Sequence, residues 1–203
     1  MKNQMKTENA VLMQMARESL KGKWGLAIGT FVVYILITSV LQVIPVIGLI
    51  ASLIISGPFA LGLAIFSISI SRNQDAKLEQ IFQGFINFGN ALGAYLLMVL
   101  FILLWMLLLI VPGIIAALSY SMTFYILADD SSIGPMEAID KSKKMMYGYK
   151  WKLFCLGLRF LGWALLCILT LGIGFLWLFP YMQISMVKFY DDIKVNQIPK
   201  ETI

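Results

Sequence analysis

Two apolar stretches, 24–71 and 91–128, dominate the chain, and each is longer than a single bilayer crossing can use. A transmembrane helix takes about 20 apolar residues, so each stretch has to fold back on itself. Two shorter apolar stretches, 153–172 and 175–187, follow. Composition agrees, because 60% of the 203 residues are hydrophobic and only 13% are charged, against roughly a quarter charged in a soluble domain. So much apolar surface calls for lipid to cover it. The expected class is all-α, a polytopic membrane protein.

Glycine and proline punctuate the stretches. Pro45 with Gly48, Pro112 with Gly113, and Gly172 with Gly174 divide them into six transmembrane helices, 24–43, 47–70, 90–111, 114–128, 153–171 and 174–190. The fourth is short, and its true end is placed near Asp130. These six pair as three hairpins. Lys and Arg accumulate on the cytoplasmic side of membrane proteins. Here Lys2, Lys6, Arg17, Lys21 and Lys23 precede span one, Arg72 and Lys77 follow span two, Lys141 to Lys152 follow span four, and Lys194 and Lys200 follow span six. The three Gly/Pro turns carry no charge, so both termini are expected in the cytoplasm. A polar stretch, 1–23, precedes the first apolar run and no A-x-A site follows it, which argues against a cleaved signal peptide.

Each hairpin is preceded by an amphipathic stretch, expected to lie as an interfacial helix on the cytoplasmic side. In 78–88, Leu78, Ile81, Phe82 and Phe85 recur at helical spacing opposite Glu79, Gln80, Gln83 and Asn87. Residues 136–149 repeat the pattern, with Pro135 and Glu137 marking the start, and 7–20 is a weaker copy. The whole reads as one membrane domain: an amphipathic N-terminus 1–23, hairpin 24–70, interfacial helix 71–89, hairpin 90–128, interfacial helix 129–152, hairpin 153–190 and tail 191–203. Gly48, Gly113 and Gly174 fall about 65 residues apart at the turns. True internal repetition and the ordinary rhythm of any six-span chain both account for that spacing.

Small residues mark helix contacts. Gly25 and Gly29 form a GxxxG, and Gly48, Ser52 and Ser56 recur every four positions, a spacing that lets backbones approach. Packing is the plainer role and a substrate groove the sharper one. Gly57-Pro58 is expected to kink or locally unwind span two. Arg159 is the charge that lies well inside a span, so it is a functional candidate by default. Snorkelling, or a structural pair with Asp129, Asp130, Asp191 or Asp192, is weighed against contact with a cargo or lipid phosphate. Lys143, Lys144, Lys150 and Lys152 lie where cations attract anionic lipid, although the positive-inside bias alone accounts for them.

The missing residues are equally informative. No Asp, Glu or His lies mid-span, which disfavours ion-coupled transport. The chain has no histidine, and its two cysteines, Cys155 and Cys167, lie about 18 Å apart along one helix. No metal site, cofactor site or catalytic triad is therefore expected. Ser185 and Lys188 make a Ser-x-x-Lys, a spacing that arises readily by chance. No nucleic-acid partner is expected, since the basic residues adjoin apolar faces.

Val111-Pro112-Gly113-Ile114, then Ala138, Ser142, Met145 and Gly148, then Phe160-Leu161-Gly162-Trp163, Thr170-Leu171-Gly172-Ile173-Gly174 and Pro180-Tyr181, resemble the bacterial integral membrane family catalogued as domain of unknown function 975. A more distant likeness is to the membrane domain attached to some glycerophosphodiester phosphodiesterases. The resemblance implies a helical fold in a bacterial cytoplasmic membrane and brings no catalytic residues. The expected function is a non-enzymatic accessory or scaffold factor of the cell envelope, binding membrane lipids, anionic ones included, a hydrophobic peptide or another membrane protein. The runner-up is an uncoupled transporter or exporter of a small amphipathic compound.

Overall fold

The computed structural model describes residues 7–41 and 45–197. Lys2, Lys6, Lys200 and residues 42–44 lie outside the described residues, and Pro45 and Gly48, expected at the first turn, stand in the first turn of α3. Among the described residues the elements run α1 Asn9–Leu20, α2 Trp24–Leu41, α3 Pro45–Ser71, a 3-10 helix Leu78–Phe85, α4 Phe88–Leu108, α5 Ile110–Tyr120, α6 Thr123–Asp129, α7 Pro135–Met145, α8 Lys150–Leu169 and α9 Phe175–Gln197. Short helices, α1, the 3-10 helix and α7, precede the long helices α2, α4 and α8. Four helices are long and apolar enough to cross a membrane: Ile50–Ser71, Phe88–Leu108, Ile110–Asp129 and Lys150–Leu169. The pair α1 and α2, bent by 96°, makes a fifth if counted as one.

The count falls below six because α9 is apolar only in its first half. Beyond Met186 it carries Lys188, Asp191, Asp192 and Lys194, and this charged half belongs to a packed end of the molecule. There Leu12, Leu20, Ile68, Ala91, Met122, Ile139, Leu156, Ile184 and Tyr190 are all buried. At the other end the hairpins splay, leaving Val40 68%, Leu107 87% and Leu171 95% exposed. Apolar tips of that kind are compatible with a membrane protein. α3 is the central element, with 67% of its apolar window buried against 11% for α4.

The second hairpin turns earlier than the punctuation suggests. The break lies at Leu109, which is fully extended (φ −161°, ψ 148°), and Pro112 sits inside the first turn of α5, where its missing N–H leaves no bond unmade. Gly113 serves the crossing instead: a Cβ there would lie 2.3 Å from Cγ of Met106. The span expected over 114–128 accordingly begins at Ile110 and runs on to Asp129, interrupted at Ser121-Met122. Gly172 does sit at the third turn, with φ +87°. Gly174 packs against Cys167, whose Sγ would be 2.7 Å from an added Cβ.

Of the kink or local unwinding expected at Gly57-Pro58, the unwinding is absent, since α3 continues through both. In place of an interfacial α-helix over 78–88, the chain forms a 3-10 helix whose three-residue period turns Ile81 and Gly84 inward. The reason lies in three glycines. A Cβ on Gly84 would come within 1.9 Å of the Pro58 carbonyl oxygen, one on Gly62 within 1.9 Å of that of Ile81, and one on Gly57 within 2.5 Å of that of Ala91. Backbone therefore meets backbone across α3, the 3-10 helix and α4, and Phe82 and Phe85 close the edge around the Phe59 ring. Gly25 and Gly29, in contrast, have nothing within 4 Å of an added Cβ, so the GxxxG of α2 is not a seam among the described residues.

Candidate functional site

The packed end is tied by charge. Arg72, just past α3, donates to Asp129 at the end of α6 (2.7 and 3.0 Å) and to Asp191 in α9 (2.6 Å). Lys194 and the Tyr190 hydroxyl also reach Asp129, at 2.5 and 3.0 Å. The hydrogen bond to Asp129 raises the Arg72 pKa above its ordinary value, with burial working against it. Lys152, at the start of α8, pairs with Asp192 at 2.6 Å, and Asp192 also accepts from Thr7. Lys188 donates to the Ser71 carbonyl at 2.6 Å, closing the end of α3. These bonds bring the ends of α3, α6, α8 and α9 together and engage Asp129, Asp191 and Asp192 with other cations, while Asp130 accepts from Ser132. The structural pair expected of Arg159 is absent among the described residues.

Ser142 bridges the interruption between α5 and α6. It accepts from the Met122 N–H at 3.1 Å and donates to the Ser119 carbonyl at 2.8 Å, buried on both sides. Both are backbone groups at the break, where helix ends leave donors and acceptors without helical partners. We expect Ser142→Ala to lower stability by about 1–3 kcal/mol, the cost of leaving a buried donor unmet, while Ser142→Thr retains much of it. Thermal unfolding in detergent measures the difference.

Arg159 lies exposed on α8, about 13 Å along the helix from Lys150. It faces a cavity of about 790 Å³ shared with Met13, Gln14, Arg17, Glu18, Lys21 and Tyr181. Arg17 and Tyr181 also line an adjoining cavity of about 360 Å³, walled by Trp24, Trp163, Cys167, Trp177 and Leu178. The two form one cleft between α1, α2, α8 and α9, basic at one end and aromatic at the other. Arg159, Trp163 and Cys167 are spaced by four on α8, so one helix face carries the change from charge to ring to thiol.

Sequence reasoning reached Arg159 but missed Arg17 and the tryptophans. Only the bend between α1 and α2 carries Arg17 to the α8 face. Gly22, with φ +75°, makes that elbow, and Gly148, with φ +79°, makes the matching one before α8. Of the predicted lipid-facing lysines, Lys152 is turned inward to Asp192, whereas Lys143 and Lys144 flank a shallow surface depression with Asp140 and Tyr147. Lys150 is half-buried. The Ser56 hydroxyl donates to the Ser52 carbonyl at 2.5 Å, Gly48 is buried, and neither serine lines the cleft. Ser185 donates to the Tyr181 carbonyl at 2.8 Å, so it and Lys188 are engaged separately and not as a pair.

A family model described as a protein of unknown function (DUF975) matches residues 5–119 and 106–197. The chain belongs to that family. Several residues that carry the DUF975 resemblance have structural work in this fold: Ser142 bridges α5 and α6, Gly113 and Gly174 admit close hairpin crossings, and Trp163 lines the cleft. Comparison with curated proteins and with solved structures gave no match.

Proposed function

We propose that this DUF975 protein is a non-enzymatic integral membrane factor that holds a lipid or hydrophobic peptide in the cleft between α2, α8 and α9. Its α2–α3, α4–α6 and α8–α9 elements act as three hairpins making six crossings in a bacterial cytoplasmic membrane, with both termini and the charged clasp inside. The observation that carries this reading is the open aromatic cleft, which Trp163 and Trp177, each about half exposed, both line. Exposed apolar surface of this kind supports a lipid or apolar ligand as what covers it.

Two measurements test it. Native mass spectrometry of the protein purified in mild detergent is expected to show a retained lipid or peptide, lost when Trp163 and Trp177 are both changed to Ala. In a background with Cys155→Ser and Cys167→Ser, Leu109→Cys and Leu171→Cys are expected to react with impermeant reagent from outside intact cells. A bare protein, or tips that react only after the cells are opened, sinks the proposal. A change in cellular flux of an amphipathic compound on deletion, abolished by Arg159→Ala, would instead favour a transporter.

A further inference from the structure

The geometry points to an anionic phospholipid in this cleft, its phosphate held by Arg17 and Arg159 and one acyl chain laid along Trp163 and Trp177. This rests on the lipid-holding function proposed above and adds to it the charge and the place of the headgroup.

The accounting of cations carries it. Arg72, Lys152 and Lys194 are paired with carboxylates, and Lys188 caps α3. Arg17, Lys21 and Arg159 have no carboxylate partner among the described residues, yet all three line one cavity. Glu18 is the acid beside them, and one of its oxygens accepts from Gln14. Three cations against one carboxylate leave this cavity with a net positive charge that favours an anion. Two guanidinium forks suit phosphate oxygens better than ammonium groups do. The polar residues of α1, Gln14, Arg17, Glu18 and Lys21, place a polar shelf beside Arg159. One helical turn further along α8 the lining changes to indole, and Tyr181, common to both cavities, marks the seam. Charge followed by apolar wall is the pattern of a phospholipid and not of a free anion.

The test uses the full chain in detergent, titrated with phosphatidylglycerol or with phosphatidylcholine of matched chains and read by native mass spectrometry. Phosphatidylglycerol is expected to bind more tightly. Each cation near anionic lipid contributes enough that Arg17→Ala with Arg159→Ala should cut that preference by about 30-fold. Because both side chains are exposed, the variant should remain monodisperse, and Arg17→Gln with Arg159→Gln repeats the measurement without loss of bulk. Trp163→Ala with Trp177→Ala should weaken both lipids and keep the preference. Lys143→Ala with Lys144→Ala should change nothing, and inorganic phosphate should not displace the lipid. Equal binding of the two lipids would overturn the headgroup site and leave the lipid-holding function standing, whereas binding of neither overturns both. A preference that survives the arginine changes, displacement by inorganic phosphate, or a peptide co-purifying in place of lipid would each overturn it.

Discussion

Gly84→Ala and Gly62→Ala are each expected to abolish the folded bundle. An added methyl at either position meets a backbone oxygen at 1.9 Å, and a carbonyl in a helix cannot rotate away as a side chain can. Overpacking a core ordinarily costs about 1–3 kcal/mol, and here the backbone of α3 would have to part from the 3-10 helix, so the cost lies upwards of about 3 kcal/mol. Such a loss consumes much of the about 5–15 kcal/mol that holds a typical domain together. Size-exclusion profiles and thermal unfolding in detergent would show aggregation or a large drop in melting temperature. Gly89→Ala, where an added Cβ meets nothing within 4 Å, is the control. Wild-type behaviour of Gly84→Ala would mean that the 3-10 helix does not sit against α3 as described.

The second large effect concerns the clasp. Arg72→Met removes the cation shared by Asp129 and Asp191, whose side chains are 13% and 29% exposed. Asp129 keeps Lys194 and Tyr190, but Asp191 loses its partner. Stranding a buried charge costs about 3–5 kcal/mol, and solvent reaching this cluster brings the expected loss nearer about 2–3 kcal/mol. Adding Asp191→Asn to Arg72→Met should recover part of the loss, because it removes the stranded charge. A double-mutant cycle by thermal unfolding measures that coupling. Additive effects of the two changes would mean that the ion pair plays no part in holding α3 to α9.

Much of the fold was legible because long apolar runs and their punctuation are local properties. The start of α2 falls at Trp24, where the change from polar to apolar residues places it, and α4 and α8 begin at Phe88 and Lys150, two and three residues before the expected 90 and 153. The third turn sits at Gly172, where a left-handed backbone needs a residue without Cβ. The second turn was misplaced because proline suits the first turn of a helix as well as a loop, and only the extended backbone of Leu109 distinguishes the two. The 3-10 helix was hidden for a similar reason. Leu78, Ile81, Phe82 and Phe85 satisfy an α period, and nothing nearby reveals that Gly84 has to touch Pro58 and Gly62, more than twenty residues away.

The candidate site divides in the same way. Arg159 stood out from its neighbours on one helix, since a charge in an apolar run is visible by itself. Its companions were invisible: Arg17 belongs to a helix distant in sequence, and Trp24, Trp163 and Trp177 look like ordinary interfacial aromatics until three helices converge. Charge and hydropathy along the chain thus determined an all-helical, hairpin-rich molecule with its polar connections gathered together, because solvent preference acts on each residue where it stands. Which cations are consumed in the clasp and which face the cleft was decided only by tertiary packing, because a salt bridge depends on distances that sequence separation does not encode.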